Sequence, residues 1–376
     1  MLGLNRSWVL RSAAWRAVAM LCGWLGWLGL PAAGLAGPLD PNQFASLGTL
    51  SLSGGSYTIL TNANGVPTLT IGSTVYSGVV YNGIAVFDFS SISLTDGVTL
   101  KASNITGTTG LPIALLSRST VTMVNATVDV SAFPTNRTFA GNGGYNPSTL
   151  TYSAGGGGGL GGAGGSGGGD LGGSGVPPSP VSLETALQGG TRGGGPSEGV
   201  SPGPYGNAGG GAIEIGAVSS ILMHTATINA NAELRGGSTG FGGGSGGGIF
   251  VHAPTLNFEG ANLNAEGEKG SPGTHNPDGS STRYFAGGGG GGGGLIQIDG
   301  SVAENSLTYS LSGGGSGRSF GFSPAGYAGD SGTINFAPLT VPEPSSLIML
   351  GTSILGWLSV SAVRRARARV CQASKL

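Results

Sequence analysis

The strongest evidence about the fold is the pair of segments Ile213-Glu214-Ile215 and Ile228-Asn229-Ala230-Asn231-Ala232. In both parts an apolar residue alternates with a polar or small one, which is the period of a strand with one buried face. The same two-part pattern occurs in three other places, and the two parts begin 13 to 15 residues apart. These units comprise residues 113–115 with 128–132, 249–251 with 263–267, and 296–298 with 309–313.

A half unit, Ile334-Asn335-Phe336, ends the series. Repetition at this spacing is typical of proteins in which neighbouring units stack and bury a continuous core. We therefore predict an all-β fold, a parallel β-helix-like solenoid with Gly-rich loops. Its core would contain two columns of stacked apolar side chains: Ile113, Ile213, Ile249, Ile296 and Ile334 in one, and Leu115, Ile215, Val251, Ile298 and Phe336 in the other.

Glycine dominates the rest of the chain, with 79 of 376 residues, against an ordinary share of roughly 7%. It is concentrated in runs at 155–159, 161–169, 242–248 and 287–294. The period is wrong for collagen, and proline is too scarce. We interpret the runs as spacers between strand pairs. A largely disordered Gly-rich polymer is the alternative interpretation.

The pattern divides the chain into segments. Residues 37–110 are predicted as a β-rich N-terminal cap with the first coils of the solenoid. Residues 111–340 would form the β-helix, with a flexible insert at 133–210, because a long Gly/Pro/Ser stretch buries too little apolar surface to offset its ordering entropy. Residues 1–36 and 341–369 differ in composition from this body and are predicted to direct export and sorting.

The C-terminal segment begins with Val341-Pro342-Glu343-Pro344. An uncharged run of 19 residues, 345–363, follows it. At about 1.5 Å per residue, a helix of this length would span the roughly 30 Å of a bilayer core. A basic cluster after such a run predicts an end that stays in the cytoplasm. We therefore predict a single C-terminal transmembrane helix closed by Arg364, Arg365, Arg367 and Arg369.

These three parts, in this order, resemble the sorting signal of PEP-CTERM proteins. The resemblance covers Val341 to about Ala368, under a tenth of the chain. It implies that an exosortase, a membrane-embedded protease-transpeptidase, processes the protein near Pro342-Glu343-Pro344. The protein would then lie in the inner membrane before processing, and at the envelope surface or outside the cell afterwards. An ordinary C-terminal membrane anchor is the alternative.

The N-terminus has the features of a signal peptide. Arg6, Arg11 and Arg16 form a positive region, residues 17–30 are apolar, and Gly34-Leu35-Ala36 offers small residues where a signal peptidase cuts. We predict cleavage between Ala36 and Gly37, with a retained N-terminal anchor as the alternative.

Processing would change the charge and the redox chemistry of the chain. The full chain has 16 basic and 17 acidic residues, and the two removed ends carry eight of the basic residues and only Glu343 of the acidic ones. An acidic body argues against nucleic acid as a partner, since phosphate binding needs clustered Lys and Arg. Cys22 and Cys371 would also be removed, so the body would have no disulfide.

No motif for catalysis, a metal or a cofactor stands out. The two Gly-x-Ser-x-Gly matches, 164–168 and 243–247, lie inside glycine runs, without the strand and helix that a nucleophile elbow requires. His224, His252 and His275 lack the spacing of zinc ligands. Gly168-Gly169-Asp170 is similar to a calcium-binding repeat but does not recur. We predict no cofactor and no metal.

A polysaccharide lyase or hydrolase remains an alternative, because such enzymes use paired carboxylates. The outward positions between the two columns are Ala114, Glu214, Phe250, Gln297 and Asn335, which include one acidic residue. The candidate carboxylates are Asp129, Glu214, Glu266 and Asp299.

The sequence thus favours an exported, exosortase-sorted structural protein of the cell surface or extracellular matrix, without catalytic activity. The resemblance suggests exopolysaccharide or biofilm as its setting, because it places such proteins in Gram-negative bacteria that make exopolysaccharide. A carbohydrate-binding adhesin is the second interpretation, since a Ser/Thr/Asn-rich surface would suit weak, repeated contacts with polysaccharide.

Overall fold

The computed structural model describes twelve parts of the chain: residues 38–61, 65–104, 110–131, 151–152, 154–169, 173–179, 182–195, 206–232, 240–273, 275–277, 282–318 and 325–338. Apart from one 3-10 turn, Pro41–Gln43, the regular structure of these parts is entirely β. The strands are β1 (Thr49–Ser53), β2 (Ser56–Thr61), β3 (Thr68–Ile71), β4 (Thr74–Ser77), β5 (Val79–Tyr81), β6 (Ile84–Phe89), β7 (Ser91–Thr95), β8 (Thr99–Asn104), β9 (Ile113–Ser117), β10 (Thr120–Val124), β11 (Thr127–Asp129), β12 (Thr151–Tyr152), β13 (Ala212–Ala217), β14 (Ser220–His224), β15 (Thr227–Asn229), β16 (Gly248–Glu259), β17 (Asn262–Asn264), β18 (His275–Pro277), β19 (Thr282–Phe285), β20 (Leu295–Asn305), β21 (Thr308–Ser310) and β22 (Thr333–Ala337).

The strands form three sheets. The largest has eleven strands and contains two rows of parallel strands, β1-β7-β10-β14 and β6-β9-β13, which join where β16 pairs with both β14 and β13. It continues from β16 to β20 and β22. The second sheet has eight strands, in the order β21-β17-β15-β11-β8-β2-β3-β4, and the third consists of β12, β19 and β18.

The register of the parallel strands confirms the predicted columns. Ile213 pairs with Ile113 on one side and Ile249 on the other, and the series continues to Ile296 and Ile334. The second column pairs in the same register. Its first four members are at most 1% exposed, whereas the last, Phe336, is 53% exposed. The core therefore remains open at its last strand.

The predicted fold class is nevertheless wrong. The all-β content is correct, but the strands form a curled, half-barrel sheet with no clear solenoid. The main physical reason is that the chain between strand pairs does not form loops around a uniform β-helix. It packs as extended glycine-rich segments, and antiparallel strands (β5 beside β6, and β3 and β4 beside β2) end the parallel order at one side of each large sheet.

The single C-terminal transmembrane helix is not supported either. Within those twelve parts, no helix is long and apolar enough to cross a membrane. The predicted run at 345–363 lies outside those parts.

The core follows from the alternation of side chains along each strand. In β7 the inward Ile92 and Leu94 are at most 2% exposed, while the outward serines and threonine are half-buried. Burying one such aliphatic side chain stabilises the fold by about 1.5–3 kcal/mol. Near the N-terminal end the aromatic residues Phe87 and Phe89 are fully buried and close the core. Asn82 and Gly83, both with positive φ, form the tight turn between β5 and β6.

The glycine-rich runs pack against one another through backbone hydrogen bonds. We call these runs the glycine bundle and define it as residues 155–168, 173–176, 190–194, 206–211, 242–248, 287–294, 313–317 and 326–332. Parts of the stretch expected to be a flexible insert, 133–210, belong to it. Most bundle residues are glycine, so cohesion comes mainly from backbone hydrogen bonds and close backbone contact, while Leu160 packs in a small apolar cluster with Phe250.

Run 288–294 shows how the bundle is bonded. Its amides donate in turn to three different neighbours, with a period of three residues. Gly288, Gly291 and Gly294 donate to Ser271, Glu268 and Ala265; Gly289 and Gly292 donate to Gly155 and Gly158; Gly290 and Gly293 donate to Tyr327 and Asp330. Three residues per turn without internal hydrogen bonds is the geometry of an extended threefold helix. Every side of such a helix meets another backbone, which explains why side chains are excluded.

Candidate functional site

The predicted outward face of β13, β16 and β20 carries a cluster of polar side chains. Glu214 and Gln297 pair with Phe250 from the two neighbouring strands. Two residues further along β16, His252 pairs with Asp299 of β20. All four polar residues are at most 5% exposed. We call Glu214, His252, Gln297 and Asp299 the buried polar cluster. It includes two of the four carboxylates predicted as candidates.

Glu214 and His252 form the first half of the cluster. His252 Nε2 lies 2.8 Å from Glu214 Oε1, and the same oxygen accepts a hydrogen bond of 2.9 Å from the amide of Leu39. The imidazole occupies space that only a glycine leaves free, because a Cβ on Gly216 would lie 2.3 Å from His252 Nε2. The pair therefore attaches the N-terminal segment to the sheet.

Gln297 and Asp299 form the second half. Gln297 Oε1 accepts hydrogen bonds from Ser182 Oγ at 2.7 Å and from the amide of Leu183 at 3.0 Å. Its Nε2 donates to Asp299 Oδ2 at 3.0 Å. Burial raises the pKa of Asp299, and the hydrogen bond from Gln297 opposes this. Here the cluster holds the segment around Leu183, which packs on Phe250.

The polar atoms of this cluster bond to one another and to covering segments of the chain. Glycoside hydrolysis uses two carboxyls on either side of a bound sugar ring, with room for the substrate and in some cases a water. In the buried polar cluster, Glu214 Oε1 bonds to the Leu39 amide and to His252, and both Asp299 oxygens accept from Gln297 Nε2. The cluster positions two chain segments, and the sequence did not indicate this, because nothing in the pattern identified which segments cover the outward face.

The other two candidate carboxylates lie in or beside the second sheet. Asp129 is 3.9 Å from Lys101 Nζ and accepts from the amide of Ser131 at 2.9 Å. Glu266 follows β17 and is bonded to the hydroxyls of Ser310 and Ser312. The structure thus brings Glu214 and Asp299 into one cluster and places Asp129 and Glu266 elsewhere.

The remaining residues considered for chemistry lie apart from the cluster. His224 Nδ1 is 2.8 Å from Glu259 Oε2 at the surface, and His275 lies on β18. Ser245, from one Gly-x-Ser-x-Gly match, is fully buried and accepts from the amide of Thr191 at 2.9 Å. Among the residues that the structure describes, no group of three His, Cys, Asp or Glu could hold a metal ion.

A second feature, which sequence reasoning missed, is a regular face of hydroxyl groups. On β1, β7 and β10, eight serines and threonines point away from the core. Ser51 pairs with Ser93, and Ser93 with Thr122. Neighbouring strands lie about 4.8 Å apart, and alternate residues about 6.6 Å. We call this the hydroxyl face; its members are Thr49, Ser51, Ser53, Ser91, Ser93, Thr95, Thr120 and Thr122.

The hydroxyl face is uncharged at its centre and open to solvent. Its β1 members are exposed and its β7 and β10 members half-buried. At one margin, Asp96 Oδ2 accepts from Ser53 at 2.7 Å and from Thr95 at 3.1 Å. The signal in the sequence was present: apolar residues alternate with Ser or Thr at 49–53, 91–95 and 120–123. Alternation alone could not show that these strands are neighbours.

The predicted processing sites lie outside the described parts of the chain. They are the cleavage site at Ala36 and Gly37, the motif Val341, Pro342, Glu343 and Pro344, and the basic residues Arg364, Arg365, Arg367 and Arg369.

Comparison with known proteins gives no family. No family model, no curated protein and no solved structure matches this chain.

Proposed function

We propose that this chain is an exported structural protein of the cell surface or extracellular matrix, sorted by an exosortase at Pro342-Glu343-Pro344 and without catalytic activity. The observation that carries the non-catalytic part is the burial of Glu214, His252 and Asp299. Their polar atoms bond to one another, to Gln297 and to the backbone. The sorting part is supported by the C-terminal motif in the sequence.

Intact mass of the protein from the envelope and medium of its native host tests the sorting. The expected species begins near Gly37 and ends near Val341, without the tryptophan at Trp357. A species that extends to Leu376 would remove exosortase processing from the proposal.

Viscosity of the host's exopolysaccharide tests the absence of catalysis. The proposal expects no loss of viscosity on incubation with the purified protein. A loss that Glu214→Gln or Asp299→Asn abolishes would show that the protein is an enzyme.

The hydroxyl face supports a second candidate function, binding of polysaccharide. A regular set of small hydroxyls can exchange hydrogen bonds with a hydroxyl-rich polymer lying on the sheet. Retention on an exopolysaccharide column should then fall when Ser93→Lys places a long charged side chain at the centre of the face. Thr58→Lys, at an exposed position of β2, is the matched control. Equal retention of both variants and the parent would exclude this face as the binding site.

A further inference from the structure

The last strand of the largest sheet has an open edge. β22 pairs with β20 on one side, and within the described parts of the chain no strand pairs with its other side. Phe336 of β22 is 53% exposed, although its column partner Ile298 is 1% exposed. Tyr309, on the last strand of the second sheet, is 52% exposed. This end therefore exposes core positions and backbone groups together.

At the other end of the same columns, β5 pairs with β6 and covers it, although Val80 of β5 is itself 47% exposed. Ala85 and Phe87 on β6 precede Ile113 and Leu115 in the two columns, and both are fully buried. A contact that uses the β22 patch on both copies closes on itself, so it stops after two copies and does not propagate into a fibre.

The backbone at the open edge is ready to pair. The amide of Thr333 donates to Gly294 of the neighbouring run. Successive amides of a strand point to opposite edges, so the amides and carbonyls of Ile334 and Phe336 face the free side. Such an edge is a template for another strand.

The chain that follows β22 is poorly suited to cover this edge. Pro338 comes directly after Ala337, and Pro342 and Pro344 follow shortly. Proline has no amide hydrogen to donate to a strand ladder. A second copy of β22, by contrast, offers two donors and two acceptors at the matching spacing.

We propose that two copies of this chain pair through β22, antiparallel and about a twofold axis at Asn335. Ile334 of one copy then lies opposite Phe336 of the other, and these pairs exchange four backbone hydrogen bonds. The two apolar side chains also cover each other, which extends the core across the contact. Asn335 faces Asn335 of the second copy on the polar side of the sheet.

A disulfide test checks this register directly. In the full chain with Cys22 and Cys371 changed to serine, Asn335→Cys should form a covalent dimer on mild oxidation, because opposed Cβ atoms in such a pair lie about 4.5–5.5 Å apart. Thr333→Cys is the matched control: its cysteines would lie about 13 Å apart along the strands. Equal cross-linking of both variants, or none with Asn335→Cys, would overturn the proposed register.

Sedimentation velocity tests the assembly itself, on the full chain with Cys22 and Cys371 changed to serine and without the added cysteines at 333 or 335. The parent is expected to dimerise in a concentration-dependent manner. Phe336→Pro removes an amide from the free edge and not one that bonds to β20, so it should weaken the dimer about tenfold or more. Phe336→Thr, which keeps the amide, should have the smaller effect. A parent that is monomeric at every concentration, or dimers that Phe336→Pro leaves unchanged, would contradict the proposal.

Discussion

Arg118 Nε lies 2.9 Å from Oδ2 of Asp88, whose side chain is 1% exposed. The guanidinium also donates to the carbonyl of Phe44, so the pair links β6, the turn after β9 and the N-terminal segment. Burial raises the pKa of Asp88, and the hydrogen bond and charge of Arg118 oppose this. A carboxyl enclosed in this way depends on its partner, because Arg118 supplies the charged hydrogen bond that offsets its burial.

Arg118→Met should destabilise the protein by about 3 kcal/mol, since removal of one partner leaves the other buried without compensation. Chemical denaturation followed by far-UV circular dichroism measures the change. Lys101→Met is the matched control, because Lys101 is 63% exposed beside Asp129, and an exposed pair contributes about 0–1 kcal/mol. Similar losses of unfolding free energy in the two variants would show that the buried Arg118–Asp88 pair stabilises the protein no more than the exposed Lys101–Asp129 pair.

Gly291→Ala should destabilise the glycine bundle. A Cβ at this position would lie 1.9 Å from the carbonyl oxygen of Gly244, so two backbones must separate. Overpacking of this kind costs about 1–3 kcal/mol or more. Gly315→Ala is the control in the same bundle, since the nearest atom to its Cβ, Lys269 Cγ, is 3.9 Å away. Equal thermal midpoints for the two variants would contradict the close packing described for the bundle.

The stability difference between Asp299→Asn and the parent should depend on pH. Burial raises the pKa of Asp299 above its ordinary value of 3.8. The native state of the parent therefore binds a proton more tightly than the unfolded state, and this contribution, present below pH 3.8, is lost as the pH rises through the raised pKa. The variant lacks this contribution, so its stability relative to the parent should rise as the pH rises through the raised pKa. At higher pH the difference between the two should stay constant. Urea denaturation at a series of pH values measures this, and parallel curves would refute it.

Glu214→Ala should release the segment around Leu39. The change leaves the amide of Leu39 and the imidazole of His252 without their acceptor, which costs about 1–3 kcal/mol for an unsatisfied buried group. Glu214→Gln keeps an oxygen at the same position and should lose less. Hydrogen exchange of the Leu39 amide distinguishes the two: we expect lost protection in the alanine variant and retained protection in the glutamine variant. Fast exchange in the parent would exclude this attachment.

Part of the architecture could be predicted from the sequence because it rests on side-chain alternation. The series from Ile113 to Ile334 was aligned by pattern alone, and the strands pair in that register. Period-two alternation fixes which residues share a face, and a slip of one residue would expose the whole set. The prediction failed at Phe336, because a column pattern does not reveal where the stack ends.

The packing of the glycine runs could not be predicted in the same way. Glycine has no side chain, so residues 287–294 carry no hydropathy pattern to show which neighbours they contact. The sequence shows only that several long glycine runs recur, and this is equally compatible with a packed bundle and with a set of spacers. The buried polar cluster was missed for a related reason: Glu214 was assigned to the outward face, but the segments that cover this face, around Leu39 and Leu183, come from distant parts of the chain.

The threefold bonding of run 288–294 has a mechanical consequence. A β-sheet resists force well when load shears its strands and poorly when load opens it at one edge, because its hydrogen bonds lie in one plane. In the glycine bundle a single run donates in three directions around its axis. That run is therefore hydrogen-bonded to neighbouring segments on three sides. A load applied from any direction acts on several hydrogen bonds at once.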